Sequence, residues 1–219
     1  VNTNPDSNPD SALDETVRPT KPSLLAEVFL AIAGLLLTAF ATFVEAYITN
    51  PPWQWWEQGI YPNSLGITYQ VGAVLLTACV AGASAGAIAQ LGYVLLGLGW
   101  LPIFAFGGGW DYWQQPTFGY LLGFIPGAWC CGWLAYRSHA RIERLAVSAL
   151  AGLGVIHLTG ILYLVFLAVF NPGNPPVLPL TYLSTALMTF SVSVLLGQSI
   201  VVCMSAVFAY FLRKLLFYS

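Results

Sequence analysis

Residues 95–132 read LLGLGWLPIFAFGGGWDYWQQPTFGYLLGFIPGAWCCG. The stretch ends an apolar helix at Leu101-Pro102, turns through Gly107-Gly108-Gly109, and enters a second apolar helix at Pro116-Thr117. Three glycines allow backbone to approach backbone or a ligand where a Cβ would collide. Trp110, Tyr112 and Trp113 offer flat apolar faces with polar edges, and Asp111 is the one acid among them. A small, flat, partly polar ligand at the rim of a membrane protein suits this stretch.

The composition around it agrees. The chain is 58% hydrophobic and only 7% charged, where a soluble domain carries roughly a quarter charged residues. Residues 28–44, 58–110, 112–136 and 145–212 contain no Asp, Glu, Lys or Arg. A helix needs about 20 apolar residues to cross the ~30 Å hydrocarbon core. The first and third runs hold one crossing each. The second and fourth hold two each once their Pro- and Gly-rich breaks are removed. The expected fold is an all-α integral membrane protein of six transmembrane helices, near residues 23–48, 65–82, 83–104, 116–136, 145–170 and 183–212.

The seven basic residues are Arg18, Lys21, Arg137, Arg141, Arg144, Arg213 and Lys214. With six spans all of them fall on one face. Cytoplasmic loops collect Lys and Arg, so both termini are expected in the cytoplasm. A net charge of −2 without a basic patch argues against nucleic acid. Residues 1–22 are polar and Pro-rich and lack the basic n-region and cleavage site of a signal peptide. They read as a disordered cytoplasmic tail, with 23–219 as the six-helix transmembrane domain.

Within the first span Gly34, Thr38, Thr42 and Ala46 recur every four residues. Such a small-residue stripe lets another helix approach closely, either in the same protein or on a partner. The loop at 49–64 carries three tryptophans and a tyrosine, read as interfacial anchors or as a lid. Gly82-Ala83-Ser84-Ala85-Gly86 matches G-x-S-x-G, but that motif needs a strand before its serine; here apolar helix flanks both sides and a tight turn is expected. His139 lies in a basic loop and His157 midway along a span, so neither serves Ser84 as a base. Cys79, Cys130, Cys131 and Cys203 all sit in apolar spans without metal-ligand spacing and read as small buried hydrophobes. Asn171-Pro172-Gly173-Asn174-Pro175-Pro176 breaks the chain before the last span. No G-x-x-x-x-G-K loop occurs, so the chain itself has no such route to ATP hydrolysis.

Three stretches together resemble the BioY-type biotin transporters, the substrate-binding (S) components of energy-coupling-factor (ECF) uptake systems. Leu65-Gly66-Ile67-Thr68-Tyr69-Gln70 is similar to the family's V-P-I-T-L-Q. Tyr93-Val94-Leu95-Leu96-Gly97 leads through Leu101-Pro102-Ile103-Phe104 to the triple glycine. Pro116-Thr117-Phe118-Gly119-Tyr120-Leu121-Leu122-Gly123-Phe124 is similar to G-P-T-G-G-Y-L-L-G-F. The wording resembles a cyanobacterial branch. The resemblance implies an S-component bundle that binds biotin in an outward cavity. Its partners would be an EcfT-type membrane subunit and two ATPase subunits, with solo or oligomeric function as the alternative, since some family members work without them. No cofactor would bind to this chain, and ATP would be hydrolysed on the partners. It also implies partner docking through the first helix, where the family favours A-x-x-x-A and Gly34, Thr38, Thr42 and Ala46 stand here. In the last helix the family's ligand-contacting Asp and Lys are replaced by Gln198 and Val201.

The expected substrate-binding residues are Thr68, Gln70, Gly108, Asp111, Thr117, Tyr120, His157 and Gln198. Thr68, Gln70, Thr117 and Gln198 would hydrogen-bond the ligand, with helix–helix hydrogen bonds as the alternative role. The flat bicycle would lie against Tyr120 and a tryptophan. His157 reads as a packed interior histidine or a ligand contact, and Asp111 as a loop acid or a ligand. With no outward Lys or Arg, a carboxylate would meet helix N-termini or water. Two other functions stay open: an S component for another vitamin, and a non-transporting accessory or assembly subunit of a membrane complex. No enzymatic function is expected.

Overall fold

The computed structural model describes residues 24–137, 140–170 and 179–217. The expected tail at 1–22, the loop histidine His139 and the break at 171–176 lie outside the described residues. Helix α1 (Leu24–Ala41) stops seven residues before the expected end of the first span. The chain then forms an antiparallel pair, β1 (Glu45–Thr49) and β2 (Pro62–Thr68), around two short helical turns that hold the loop tryptophans. The chain remains all-α across its candidate spans, and this one hairpin between the first two is an addition the sequence did not announce. Val44, Tyr47 and Ile48 continue the apolar run of α1, but they are β-branched or aromatic and suit a strand. The register pairs Glu45 with Thr68 and Thr49 with Pro62. Hydroxyls of Ser64 and then Tyr47 donate to the Glu45 carboxylate, holding its pKa below the ordinary 4.5.

Helix α2 (Gln70–Gly99) is formally one element, but it doubles back at Gly82, whose φ of 87° is in the left-handed half of backbone space that favours glycine. Gln70 and Tyr93 would lie about 34 Å apart on a straight helix at 1.5 Å per residue. Instead the Gln70 amide donates to the Tyr93 hydroxyl at 2.9 Å. The legs 70–81 and 83–99 are thus antiparallel, and the expected tight turn falls at the expected place. A Cβ on Gly86 would lie 3.0 Å from the Ala78 backbone, so the legs touch closely beside the bend. The second leg ends at Gly99, short of the expected Phe104.

Helices α3 (Phe118–Ala135) and α4 (Ile142–Phe170) pack backbone to backbone. A Cβ on Gly123 would lie 2.9 Å from the Ile156 carbonyl oxygen, and one on Gly127 3.0 Å from that of Gly152. Small residues allow this approach where lipid supplies no hydrophobic drive for association. Helix α5 (Pro179–Leu187) runs through a π-turn (Met188–Val192) into α6 (Ser193–Phe217). Among the described residues, five helices are long and apolar enough to cross a membrane. Large apolar side chains such as Leu25, Phe29, Phe40 and Phe208 face outward, as lipid contact requires.

The core centres on Tyr93, Phe104, Tyr112 and Phe118, whose rings follow one another at centroid distances of 5.3, 4.6 and 6.4 Å. Phe104 plugs onto Gly97, where a Cβ would come within 2.1 Å of the ring. The loop between α2 and α3 is thereby folded back onto the end of α2. The Gly109 amide completes the closure by donating to the Gly97 carbonyl at 2.8 Å. At the opposite end Arg213 is fully buried. It donates to the Ala135 carbonyl at 2.9 Å and lies 4.1 Å above the Tyr136 ring. A cation at the carbonyl end of α3 complements its dipole.

The small-residue stripe does not form an outer docking face. Gly34, Thr38, Thr42 and Ala46 are all buried inside the chain. Gly34 packs against Thr77, Thr38 accepts from the Gln90 amide at 3.2 Å, and Thr42 meets the Tyr93 hydroxyl at 3.1 Å. Ala46 is in β1, beyond the helix, and packs with Ile67 and Val201. The spacing of Gly34, Thr38 and Thr42 reflects contact with the two legs of α2. Cys79 and Cys131 are buried free thiols 3.4 Å apart, whereas Cys130 is half-buried and Cys203 exposed, so only two of the four are core hydrophobes.

Candidate functional site

A cavity of about 160 Å³ opens where the start of α2, the start of α3, the middle of α4 and the π-turn converge. Its polar rim is made by Gln70, Tyr112, Thr117, Tyr120 and Gln198. Its apolar floor and walls include Phe106, Leu121, Phe124, Ile156 and Phe190. None of the lining residues is charged. Few convergent polar groups in a mostly apolar concavity are the usual form of a small-molecule site.

Each wall is set by a local feature of the sequence. Pro116-Thr117 leads into α3, in which Tyr120 and Phe124, four residues apart, face the same side. The π-turn offsets the register before α6 and places Phe190 and Ser191 toward α3 and α4. Single π-turns inside helices recur at functional sites for this reason. Gln70 opens α2 immediately after the hairpin, and its amide nitrogen is held by the Tyr93 hydroxyl. That hydroxyl also donates to the Ile103 carbonyl at 2.8 Å.

Behind the far wall runs a chain of polar groups. The Tyr120 hydroxyl lies 2.6 Å from Ser191 Oγ, Ser191 Oγ lies 3.3 Å from His157 Nδ1, and His157 Nε2 lies 2.7 Å from Gln198 Oε1. His157 is buried, and its ring sits edge-on to Tyr120 at a centroid distance of 5.6 Å.

Of the eight expected substrate residues, Gln70, Thr117, Tyr120 and Gln198 line this cavity. His157 stands directly behind it, bonded to Gln198. Thr68, Gly108 and Asp111 do not line it. Thr68 ends β2 and pairs with Glu45. Gly108 is packed on the end of α2, where a Cβ would meet the Leu101 oxygen at 2.5 Å. Asp111 is an exposed acid in a short 3-10 turn.

The expected tryptophan platform is also corrected. The lining aromatics are Phe106, Tyr112, Tyr120, Phe124 and Phe190, while Trp53, Trp56 and Trp110 are strongly exposed. Indole rings favour the membrane–water interface, and these three are on loops outside the candidate spans. Sequence reasoning missed Ser191 and Phe190, because a π-turn has no sequence signal in an apolar run. Tyr112 stood among the loop aromatics of the sequence but outside the expected site residues, and it lines the cavity. Val201 is buried against Gly72 and the hairpin residues Ala46 and Ile67. It lies outside the cavity wall.

The fold first defines a class. The chain aligns with a crystal structure of the S-component for biotin from an ECF-type ABC transporter, with a TM-score of 0.57 and 18% identity over 94% of each chain. It is therefore a multi-pass membrane protein with the S-component fold. A model of the BioY family matches residues 18–217, and the chain belongs to that family. Over 100 residues, 45% of this chain, it is 46% identical to the biotin transporter BioY of Thermotoga maritima. Over 136 residues, 62% of this chain, it is 38% identical to a probable biotin transporter BioY of Lysinibacillus sphaericus. These alignments span 59% and 64% of the two relatives' own lengths.

Proposed function

We propose that this chain binds biotin in the cavity between α2, α3, α4 and the π-turn and carries it across the membrane. In this reading it is the S component of an ECF transporter, working with an EcfT-type membrane subunit and two ATPase subunits that hydrolyse the ATP. The observation that carries the reading is the meeting of Gln70, Tyr120 and Gln198 on one uncharged cavity in a BioY-family chain. Two primary amides suit a cyclic urea, which has N–H donors and a carbonyl acceptor on one edge. Tyr120, Phe124 and Phe190 give its fused ring an apolar seat.

The carboxylate tail finds no cation among the lining residues. Helices α2 and α3 both begin at the cavity, at Gln70 and just after Thr117, without side-chain caps. The partial positive charge at these helix starts suits an anion. The chain crosses the membrane six times, α2 counting twice, with the cavity outside and both termini in the cytoplasm.

Equilibrium binding of labelled biotin to the detergent-purified full chain tests this. Saturable binding at or below micromolar ligand is expected, and its absence overturns the reading. A second reading keeps fold and cavity but changes the vitamin. It is favoured by Gln198 in place of a charged group, because a neutral hydrogen bond is worth about 0.5–1.5 kcal/mol against about 1.5–3 for a charged one. Displacement of labelled biotin by a second vitamin at lower concentration than unlabelled biotin would favour it.

A further inference from the structure

The two amides of the cavity differ in how firmly their orientation is fixed. Tyr93 has one hydroxyl proton, and the Ile103 carbonyl, which can only accept, takes it at 2.8 Å. The Tyr93 oxygen must then accept from Gln70, which meets it with Nε2 at 2.9 Å. A backbone carbonyl thus fixes the whole arrangement and leaves Gln70 Oε1 as the end the cavity meets. Gln70 is a committed acceptor.

Gln198 has no such anchor. Its Oε1 faces His157 Nε2, His157 Nδ1 faces Ser191 Oγ, and Ser191 faces the Tyr120 hydroxyl. Every group in this chain can both donate and accept. Two directions satisfy it with the same number of protons. With the proton on Nε2, Tyr120 donates to Ser191, Ser191 to Nδ1, and Nε2–H to Gln198 Oε1; the Gln198 –NH2 then faces the cavity. With the proton on Nδ1, every bond reverses, the amide turns over, and Gln198 presents its oxygen.

We infer that His157 is the positioning residue that gives the site its specificity for a cyclic urea: held as the Nε2–H tautomer, it turns the Gln198 amide so that its –NH2 donates to the ligand carbonyl while Gln70 Oε1 accepts a ligand N–H. This rests on the biotin reading above. The opposite tautomer would place two acceptors against a ligand that needs one of each. A neutral relay of this kind does in lipid what a charged residue does elsewhere, without moving a bare charge into the bundle.

The test uses the full chain in detergent and two ligands: biotin, and a cyclic guanidine analogue in which C=NH2⁺ replaces the urea carbonyl and removes its acceptor. His157→Phe is expected to weaken biotin about tenfold or more, which is one well-placed hydrogen bond, and to leave the analogue unchanged or tighten it, because the released Gln198 amide can turn its oxygen to the C=NH2⁺ donor. His157→Phe in a Gln198→Ala background is expected to add little, because the amide it orients is gone. His157→Gln, which can still accept from Ser191 and donate to Gln198, restores most of the affinity. A His139→Gln variant leaves His157 as the only histidine of the two in the chain. The 15N shifts of its ring with biotin bound are expected to report the Nε2–H tautomer. Equal losses for both ligands, additive effects in the double variant, or an Nδ1–H ring each overturn the inference. Failure of the unmodified chain to bind biotin sinks the functional reading instead.

Discussion

Gly160 lies under Tyr120: a Cβ there would come within 2.5 Å of two ring carbons. The ring is held from the other side by its bond to Ser191, so it has nowhere to move without leaving the polar chain. Gly160→Ala is therefore expected to tilt Tyr120 and weaken biotin without touching the cavity itself. Overpacking of this kind costs about 1–3 kcal/mol, which, expressed in the bound state, is a loss of about fivefold in affinity or more. Gly154→Ala serves as the control. It is on the same helix with open space around it, and its affinity should be unchanged. Equal losses in the two variants would mean that the ring position does not matter. At this scale the sequence was informative where polar residues are scarce: Gln70, Tyr120 and Gln198 stand out in apolar runs, and three of three line the cavity. Thr68, Gly108 and Asp111 were equally conspicuous, but the hairpin, the close loop packing and solvent account for them.

Elements in this chain are bounded less by hydropathy than by backbone freedom. Gly82 has φ 87° and ψ −177°, a region that is essentially glycine's alone. A Cβ there would only touch the Tyr136 ring at 3.6 Å, an ordinary contact. The penalty for a side chain is thus almost wholly backbone strain, of order 1–3 kcal/mol. Gly82→Ala is expected to lower the thermal midpoint of the purified protein by several degrees. A midpoint equal to that of the unmodified chain would show that the two legs of α2 are held by packing alone. The turn was readable because Gly, Ala and Ser cluster there inside an otherwise helical run. The hairpin was not, since Phe43, Val44, Ala46 and Ile48 run on past the end of α1 with Glu45 the one charge among them. A short strand and the end of a buried helix have the same hydropathy, and only the β-branched and aromatic content separates them. The same ambiguity hid the π-turn, whose effect on the register shows only in where Ser191 points.

The molecule as a whole has two chemically distinct ends. Thr42, Gln70, Tyr93 and Ile103 meet in one hydrogen-bonded knot at the cavity end. At the other end the Gly82 bend touches Gly132 and Tyr136, and Arg213 caps α3 beside them. Arg137, Arg141, Arg144 and Lys214 are close in sequence to that second end, and no Lys or Arg lies near the first. A bilayer that keeps basic residues in the cytoplasm should therefore hold the chain with the cavity outward. That requires both legs of α2 to cross. The leg 70–81 is short for a full crossing at ~1.5 Å per residue; β2 ahead of it packs against α6 through Ile67, Leu65 and Gly197. A membrane-impermeant maleimide added to intact cells should then label Asn63→Cys in the hairpin and Asp111→Cys in the loop before α3, both exposed positions. Arg141→Cys should react only after permeabilisation. If α2 crossed once, Asp111→Cys would be shielded with Arg141→Cys exposed, and the cavity would face the wrong side for uptake. The contact between Gln70 and Tyr93 cannot form in that topology, so the labelling pattern and the polar knot stand or fall together.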